Sequence, residues 1–591
     1  MVKLGKATPS ISGDKKKDMK KSNLMQFLFS LLIILLINVV GYYIFTRFDL
    51  TSEKRYTLNK STKKLLKDVD DIVYFKVYLE GDFPAGFKRL RNSTKEMLDE
   101  FRAYNDNIQY EFINPNTVTD KKEQMELYKQ LVQKGLQPTN LEVKEKSGST
   151  QQIIFPAVEV MYKGRSVPVQ LLLNQFGVAP EEVLNNSIQS LEYNLSNAIR
   201  KLVVNYKPAI AFIQGHGELD GYETADIYNA LNEYYRLERV TLNEQINSLT
   251  DHKVDSTGKV TVRNKFKAII VAKPDSAFSE KDKFILDQFV MYGGKVLWLV
   301  DPVFASMDSL RTSTVTPAIT LDVNLTDLFF KYGVRLNTNL VQDMASLPIP
   351  MVTGQVGGQP KIGLVPWLYF PIITPTQTHP IVKNLNAIKT EFISSIDTIE
   401  TGAKNKKTVL LTTSNYSRLI NTPAMIDLEA MRKQPDERLF NKPFLPVAVL
   451  VEGIFESNYQ HRMPAEITND KTIGFKDLSK KTAMIFIADG DIIKNQFDYT
   501  KGYPYPLGYD KYTRQMFGNK EFILNCVNYL CDDSGMMSVR SRELKLRLLD
   551  KSKIEKYRIR YQVINLIAPL VILALFGIIY AYFRKRKYTR K

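Results

Sequence analysis

Cysteine is nearly absent. Cys526 and Cys531 are the only two in 591 residues, too few for a disulfide framework or a cysteine zinc cluster. Histidine is almost as scarce: His216, His252, His379 and His461 form no H-x-H or H-x-x-x-H metal spacing. No G-x-x-x-x-G-K-S/T phosphate loop occurs, which excludes ATP hydrolysis by the usual route. A G-x-S-x-G elbow presenting a serine nucleophile is also missing. No cofactor or metal is therefore expected, and any energy required comes from a partner.

What the chain does have stands at its ends. No charged residue occurs from Ser22 to Thr46, and Leu24–Phe45 is long enough to cross a hydrocarbon core of ~30 Å as a helix. A second uncharged run, Gln562–Phe583, is equally long and is stopped by RKRK. The first run exceeds the apolar part of a signal peptide, ~7–15 residues, and no small-x-small cleavage site follows it. Two spans put both tails on one side of a membrane and residues from about 47 to 561 on the other.

The formal charge of +18 invites a nucleic-acid reading, but its distribution argues against one. Residues 1–24 hold seven lysines and two aspartates, and residues 584–591 hold six Lys/Arg. Anionic lipid headgroups are the natural partner of such membrane-flanking tails. The rest is a weak excess over more than 500 residues and marks no basic groove. Residues 540–560 carry nine Lys/Arg against three acids on the opposite flank of the second span, so the positive-inside count there is a draw. Because long domains translocate largely regardless of charge, the expectation is both tails in the cytoplasm and the bulk of the chain in the periplasm or exterior.

Between the spans, "DIVYFKVYLEG" alternates Val73, Phe75, Val77 and Leu79, the period of a half-buried strand. Helical spacing near Leu90–Phe101, a strand at "IQYEFINP", a helix at about 120–134, the strand pair "PAVEVMYKG" and "RSVPVQLLL", and a helix through Ile188–Leu202 complete a βαβαββα order. That order resembles a thioredoxin-like domain, with Pro156 beside the sheet and no cysteine for redox chemistry. From Tyr206 the chain changes to short aliphatic runs: "AIAFIQ", "KAIIVAKP", "KVLWLVDP", "TVLLTTS", "LPVAVLVEG" and "AMIFIADGD". Runs without alternation suit strands covered on both faces, which predicts a parallel α/β sheet with helices at 221–235, 280–292, 325–332 and 520–531. Residues 340–375 read as an exposed loop. In "KEFILNCVNYLC", Phe522, Ile523, Cys526, Val527 and Leu530 make one helical face, so the cysteines read as packing.

The sharpest local feature is "AIAFIQGHGELDGYETADIYNAL", a buried strand, a glycine-rich turn and a helix. Gly215, Gly217 and Gly221 miss the dinucleotide fingerprint by one residue, and Glu218 and Asp220 would repel phosphates. Asp220 followed three residues later by Glu223 has the pattern of a capping box, in which side chain and backbone satisfy each other reciprocally. A catalytic reading would pair His216 with Glu218 and draw on Asp301, Asp489 or Asp491 at the ends of other strands. A third reading makes His216, Glu218, Asp301 and Asp489 the rim of a binding cleft. The turn alone leaves these three open.

Taken together, several segments resemble the GldG family, the gliding-motility-associated ABC-transporter auxiliary proteins. They are the basic N-terminal tail, the anchor followed by "RFDLTSEKRYTL", "AFIQGHGE", "GGKVLWLVDP", "THPIV", and "NKEFILNCVNYLCDDSGMMSVRSRELKLRLLDKSKI" before the last span. The resemblance covers essentially the whole chain. It implies a GIFT-type domain, akin to glutamine-amidotransferase-like folds, over 206–535; the nucleophilic cysteine of those enzymes is missing here, so the fold carries over and the reaction does not. It also implies a GldF-like permease and a GldA-like ATPase as partners, in support of gliding and the associated type 9 secretion machinery.

The expected architecture is therefore an α/β, two-span, inner-membrane protein acting within an oligomeric complex. Its parts are a cytoplasmic tail (1–23), a transmembrane helix (24–45), a thioredoxin-like domain (46–205), a GIFT-type domain (206–535), a basic juxtamembrane helix (536–561), a second transmembrane helix (562–583) and a cytoplasmic tail (584–591). The expected function is that of a non-enzymatic auxiliary subunit that binds cargo or envelope partners and couples to the permease and ATPase. A structural scaffold that does no transport is the alternative.

Overall fold

A computed structural model describes residues 13–43, 57–118, 120–145, 148–204, 206–254, 260–402, 405–464, 470, 472–498, 500–540 and 551–589. The expected connection "RFDLTSEKRYTL" up to Tyr56, the core of the basic juxtamembrane segment (541–550) and the extreme tails lie outside the described residues. The chain divides into two units, Met1–Thr57 and Leu58–Lys591. The first carries one helix, α1 (Gly13–Tyr43), whose stretch Leu24–Val39 is apolar and exposed but shorter than a full span.

The second unit opens with α2 (Lys60–Lys67), whose N-cap Asn59 accepts the Ser61 N–H and which buries Leu65 and Leu66. Strand β1 (Val73–Val77) buries Val73, Phe75 and Val77 completely, as the alternation predicts. Helix α3 (Ala85–Tyr104), β2 (Ile108–Phe112) and α4 (Lys121–Gln133) follow. A hairpin of β3 (Thr139–Glu145) and β4 (Gly148–Ile154), unforeseen from the sequence, stands outside the main sheet. Strands β5 (Ala157–Tyr162) and β6 (Arg165–Gln170) complete a four-stranded sheet in the order β2-β1-β5-β6, with β1 and β2 parallel and the other pairs antiparallel. Helix α5 (Pro180–Val203) covers it. Pro180 starts that helix, Glu181 and Glu182 occupy its first turn, and Arg200 and Lys201 its last, each charge matched to the helix dipole.

The larger domain is built on a seven-stranded sheet. In chain order its strands and neighbouring helices are β7 (Ala209–Gln214), α6 (Ala225–Asn232), β8 (Arg236–Thr241), β9 (Ala268–Ala272), α7 (Glu280–Met291), β10 (Lys295–Leu299), β11 (Asn405–Thr412), β12 (Pro446–Gly453) and β13 (Thr482–Ile487). The spatial order is β8-β7-β9-β10-β13-β12-β11. The first five strands in that order are parallel, whereas β12 pairs antiparallel with β13 and β11 antiparallel with β12. The expected wholly parallel sheet is thus mixed, because a strand buried on both faces reads as a continuous apolar run in either direction. Separate apolar cores lie on its two faces, one closed by α8 (Asn519–Leu530) with buried Cys526, the other by α7 and Trp298.

The expected loop at 340–375 is instead a long hairpin, Ser346–Val356 with Gln359–Ile373. Its prolines do not prevent pairing: Pro348 lies opposite Pro366 and Pro350 opposite Leu364 within the paired register. Past α8, the short helix α9 (Met537–Arg540) leads toward α10 (Lys551–Thr589). Within α10, Lys553–Arg586 is long and apolar enough to cross a membrane, and none of its apolar window is buried. Among the described residues it is the one helix that meets that length.

Candidate functional site

In open α/β sheets, ligands bind beyond the carboxyl ends of the strands, where the strand order reverses. Here β7 has β8 on one side and β9 on the other, so the reversal falls between β7 and β9. The loops meeting there are Gly215–Thr224, the turn singled out from the sequence, and Lys273–Phe278.

His216 is 6% exposed, and both of its ring nitrogens are engaged. Nδ1 lies 3.3 Å from Glu218 Oε1 and Nε2 lies 3.2 Å from Asp282 Oδ2. The ring stacks on Phe278 with centroids 3.7 Å apart. Glu218 Oε2 also accepts the His216 backbone N–H at 2.7 Å. Burial pulls the imidazole pKa down, but the hydrogen bonds and charges of Glu218, then of Asp282, outweigh it and hold the ring above its ordinary value. With both ring nitrogens bonded to buried carboxylates, the imidazole has no free nitrogen to offer a substrate proton.

The loops also seal each other. His216 O accepts the Asp275 and Ser276 N–H groups, and Ala272 O accepts that of Leu219. Gly217 has φ +73°, and a Cβ there would lie 1.6 Å from Asp275 Oδ1. The capping-box reading of Asp220 and Glu223 is present in full: Asp220 Oδ1 accepts the Glu223 N–H at 2.8 Å and Glu223 Oε2 accepts the Asp220 N–H at 3.1 Å. The box closes a turn just ahead of α6, which begins at Ala225 rather than at 221.

Asp301 and Asp489 form a second group, at the carboxyl ends of β10 and β13. Lys273, which follows β9, ties this group together by pairing with Asp301 at 3.3 Å and with Asp491. Asp489 is fully buried and accepts the N–H groups of Glu391 at 3.0 Å and Asp491 at 2.8 Å. Burial, then the charges of Asp491 and Asp301, push its carboxyl well above the usual carboxylate range. Burial likewise raises Asp301, against the pull of Lys273. The Lys273 ammonium is itself raised, the attraction of Asp491 and Asp301 outweighing its burial. Gly490 lets this group close up: a Cβ there would meet the Lys273 Cβ at 2.5 Å.

The structure places the four residues named from the sequence in two hydrogen-bonded groups. His216 and Glu218 lie on one side of the Lys273–Asp275 loop and Asp301 and Asp489 on the other. Sequence reasoning missed Asp282 and Lys273, whose roles depend on contacts across 66 residues for Asp282 and on separate strands for Lys273. Among the described residues, no three His, Cys, Asp or Glu side chains converge as metal ligands. An open groove of about 690 Å³ lies further along, bordered by Val300, Leu321, Phe330, Arg335 and Arg462, and includes none of the four. Both cysteines are buried and free. Burial pushes Cys531 up to about 12 and raises Cys526 as well, which suits packing rather than nucleophilic chemistry.

An uncharacterized protein of Borreliella burgdorferi is 21% identical over 576 residues, covering 96% of this chain and 99% of that protein. A solved structure titled mmIFT52 N-terminal domain is 12% identical and covers 55% of this chain and 96% of its own, at a TM-score of 0.29, too low to bear on the fold. Residues 52–161 match a domain of unknown function. Residues 207–526 match the ABC-type uncharacterized transport system auxiliary family. That match takes in the seven-stranded sheet, both sealed loops and most of α8, more than half of the chain. The protein belongs to the auxiliary-component family of an ABC-type transport system.

Proposed function

We propose that the chain is a non-catalytic, membrane-anchored auxiliary subunit of an ABC-type complex of the GldG type. In this reading α1 and α10 are both spans, with the two domains in the periplasm and both termini in the cytoplasm. The partners are a GldF-like permease and a GldA-like ATPase that support gliding motility and type 9 secretion. The observation that carries the reading is the auxiliary-family match over 207–526 in a chain that also holds an exposed apolar helix of membrane-crossing length. A partner must supply ATP hydrolysis, because this sequence has no phosphate loop.

The sheet order β2-β1-β5-β6 supports a thioredoxin-like first domain, and the doubly wound sheet supports a GIFT-type second domain. His216, Glu218, Asp301 and Asp489 are proposed to shape the rim that meets cargo or an envelope partner, holding the loops rather than reacting. The sealed switch point also favours, as a second reading, a scaffold that binds partners without passing a ligand. Affinity purification of the full-length chain in mild detergent tests the reading. A permease and an ATPase recovered in fixed ratio support it, and their consistent absence sinks it.

A further inference from the structure

The two leads that connect the folded body to its membrane-flanking helices meet at one place. On the N-terminal side, Asn59 N–H and Thr62 Oγ1 both donate to Glu192 Oε1 of α5, at 2.6 and 2.9 Å. On the C-terminal side, Met536, Met537 and Val539 are buried in the core of the first domain, and Tyr193 OH, one residue further along α5, donates to Met537 Sδ at 3.4 Å. The leads are also tied to each other. Ser61 Oγ donates to Ser534 O at 2.8 Å and Asn59 Nδ2 to Ser538 Oγ at 3.4 Å.

Arg540, the last described residue before α10, joins this knot to the larger domain. Its Nε donates to Pro380 O at 2.9 Å and its Nη2 to Lys383 O at 2.7 Å, while the guanidinium sits 4.9 Å over the Tyr193 ring. Pro380 belongs to the "THPIV" stretch, whose role the loops at the switch point leave unexplained. The residues just after that stretch contact the first domain directly: Phe176 N–H donates to Asn386 Oδ1 at 2.6 Å and Gln175 Nε2 to Leu385 O at 3.3 Å. The hydrogen bonds across this seam are polar, and among the described residues apolar contact is confined to Tyr529, which packs against the first domain's core and one core of the large sheet, and to Phe176, whose ring centroid lies 6.3 Å from that of Phe517. Domains of one chain that meet through largely polar interfaces move relative to one another unless something holds them.

We propose that this seam is a releasable coupling joint. Arg540, a positioning residue, holds the C-terminal lead against Tyr193 of one domain and the Pro380–Lys383 loop of the other, so that displacement of the lead changes the angle between the domains. The proposal rests on the anchored-subunit reading, since it is the membrane helices that would pull on the leads. Its test uses the chain alone and so fails separately from that reading.

Spin labels at Lys129→Cys and Arg438→Cys, both exposed positions, report the interdomain distance in the full-length chain in nanodiscs. The native Cys526 and Cys531 are buried and stay unlabelled. With Arg540 intact, one narrow distance is expected to dominate. Arg540→Ala should bring a second distance population, minor in the intact chain, up severalfold, and Arg540→Lys, which keeps the charge but loses the fork, should fall between them. A bridge between Asn59→Cys and Ser538→Cys, made by oxidation before labelling, should restore the single narrow distance in the Arg540→Ala background, and its reduction should release it. An unchanged single distance in Arg540→Ala, with tryptophan fluorescence showing a folded chain, would overturn the proposal. So would a second population that the bridge does not suppress.

Discussion

Replacing His216 separates a load on stability from a role in chemistry. The ring is 6% exposed and bonded to two carboxylates whose own side chains are buried. Removing one partner of a buried ion pair costs about 3–5 kcal/mol. The lower end applies here, because Asp282 keeps the Glu244 N–H and Ser279 Oγ, and Glu218 keeps the backbone N–H of residue 216. Loss of the 3.7 Å stack on Phe278 adds about 0.5–1.5 kcal/mol. His216→Ala should therefore cost about 4 kcal/mol and His216→Phe, which keeps a ring, about 3 kcal/mol.

Denaturant unfolding of the full-length chain reads this directly, since its two tryptophans, Trp298 and Trp367, are both fully buried in the larger domain. The pH dependence has a definite sign. The raised imidazole contributes stability in full below the ordinary histidine range, and that contribution is lost as pH rises through the folded-state value. Asp489, whose carboxyl is also raised, likewise costs stability as pH rises above the ordinary carboxylate range. The difference between wild type and variant isolates the histidine, and it should shrink as pH rises above the ordinary histidine range. An unchanged unfolding midpoint in His216→Ala, combined with lost function in correctly assembled protein, would refute the structural role and revive a catalytic one.

Three further outcomes follow from the same geometry. Lys273→Met should lower stability by about 3 kcal/mol, because it strands the buried Asp301 beside Asp491; a loss below about 1 kcal/mol in the same denaturant assay would contradict the pairing. Gly217→Ala should cost about 1–2 kcal/mol from its left-handed backbone, with Asp275 swinging aside, whereas Gly221→Ala, where a Cβ meets open space, should stay within about 0.5 kcal/mol. Cys526 and Cys531 should resist a thiol reagent in the native chain and react fully after denaturation; rapid native labelling at neutral pH would overturn their assignment to packing.

Features written in local residues were the legible ones. Val73, Phe75 and Val77 announced their strand by alternation, and Asp220 with Glu223 announced a reciprocal cap, because each depends on neighbours a few positions away. Strand direction at Pro446–Gly453 was not legible, since burial on both faces removes the alternation that would distinguish an antiparallel edge. The hairpin at 346–373 was hidden by its prolines and glycines, which mark loops in most settings and here occupy positions the ladder tolerates. At the switch point, His216 and Glu218 were visible as a pair, but Asp282 and Lys273, which tie the site residues into two hydrogen-bonded groups, come from distant elements. Arg540 looked like one more juxtamembrane charge until its bonds to Pro380 and Lys383 were seen.

The central claim is that this chain works as a coupled part of an ATP-driven membrane complex. Its most direct test is the ATP hydrolysis rate of the permease and ATPase reconstituted in proteoliposomes with and without the full-length chain. The account predicts that adding the chain changes that rate severalfold and that the effect saturates at a fixed stoichiometry. An identical rate across the titration, with the chain inserted and folded, would contradict it.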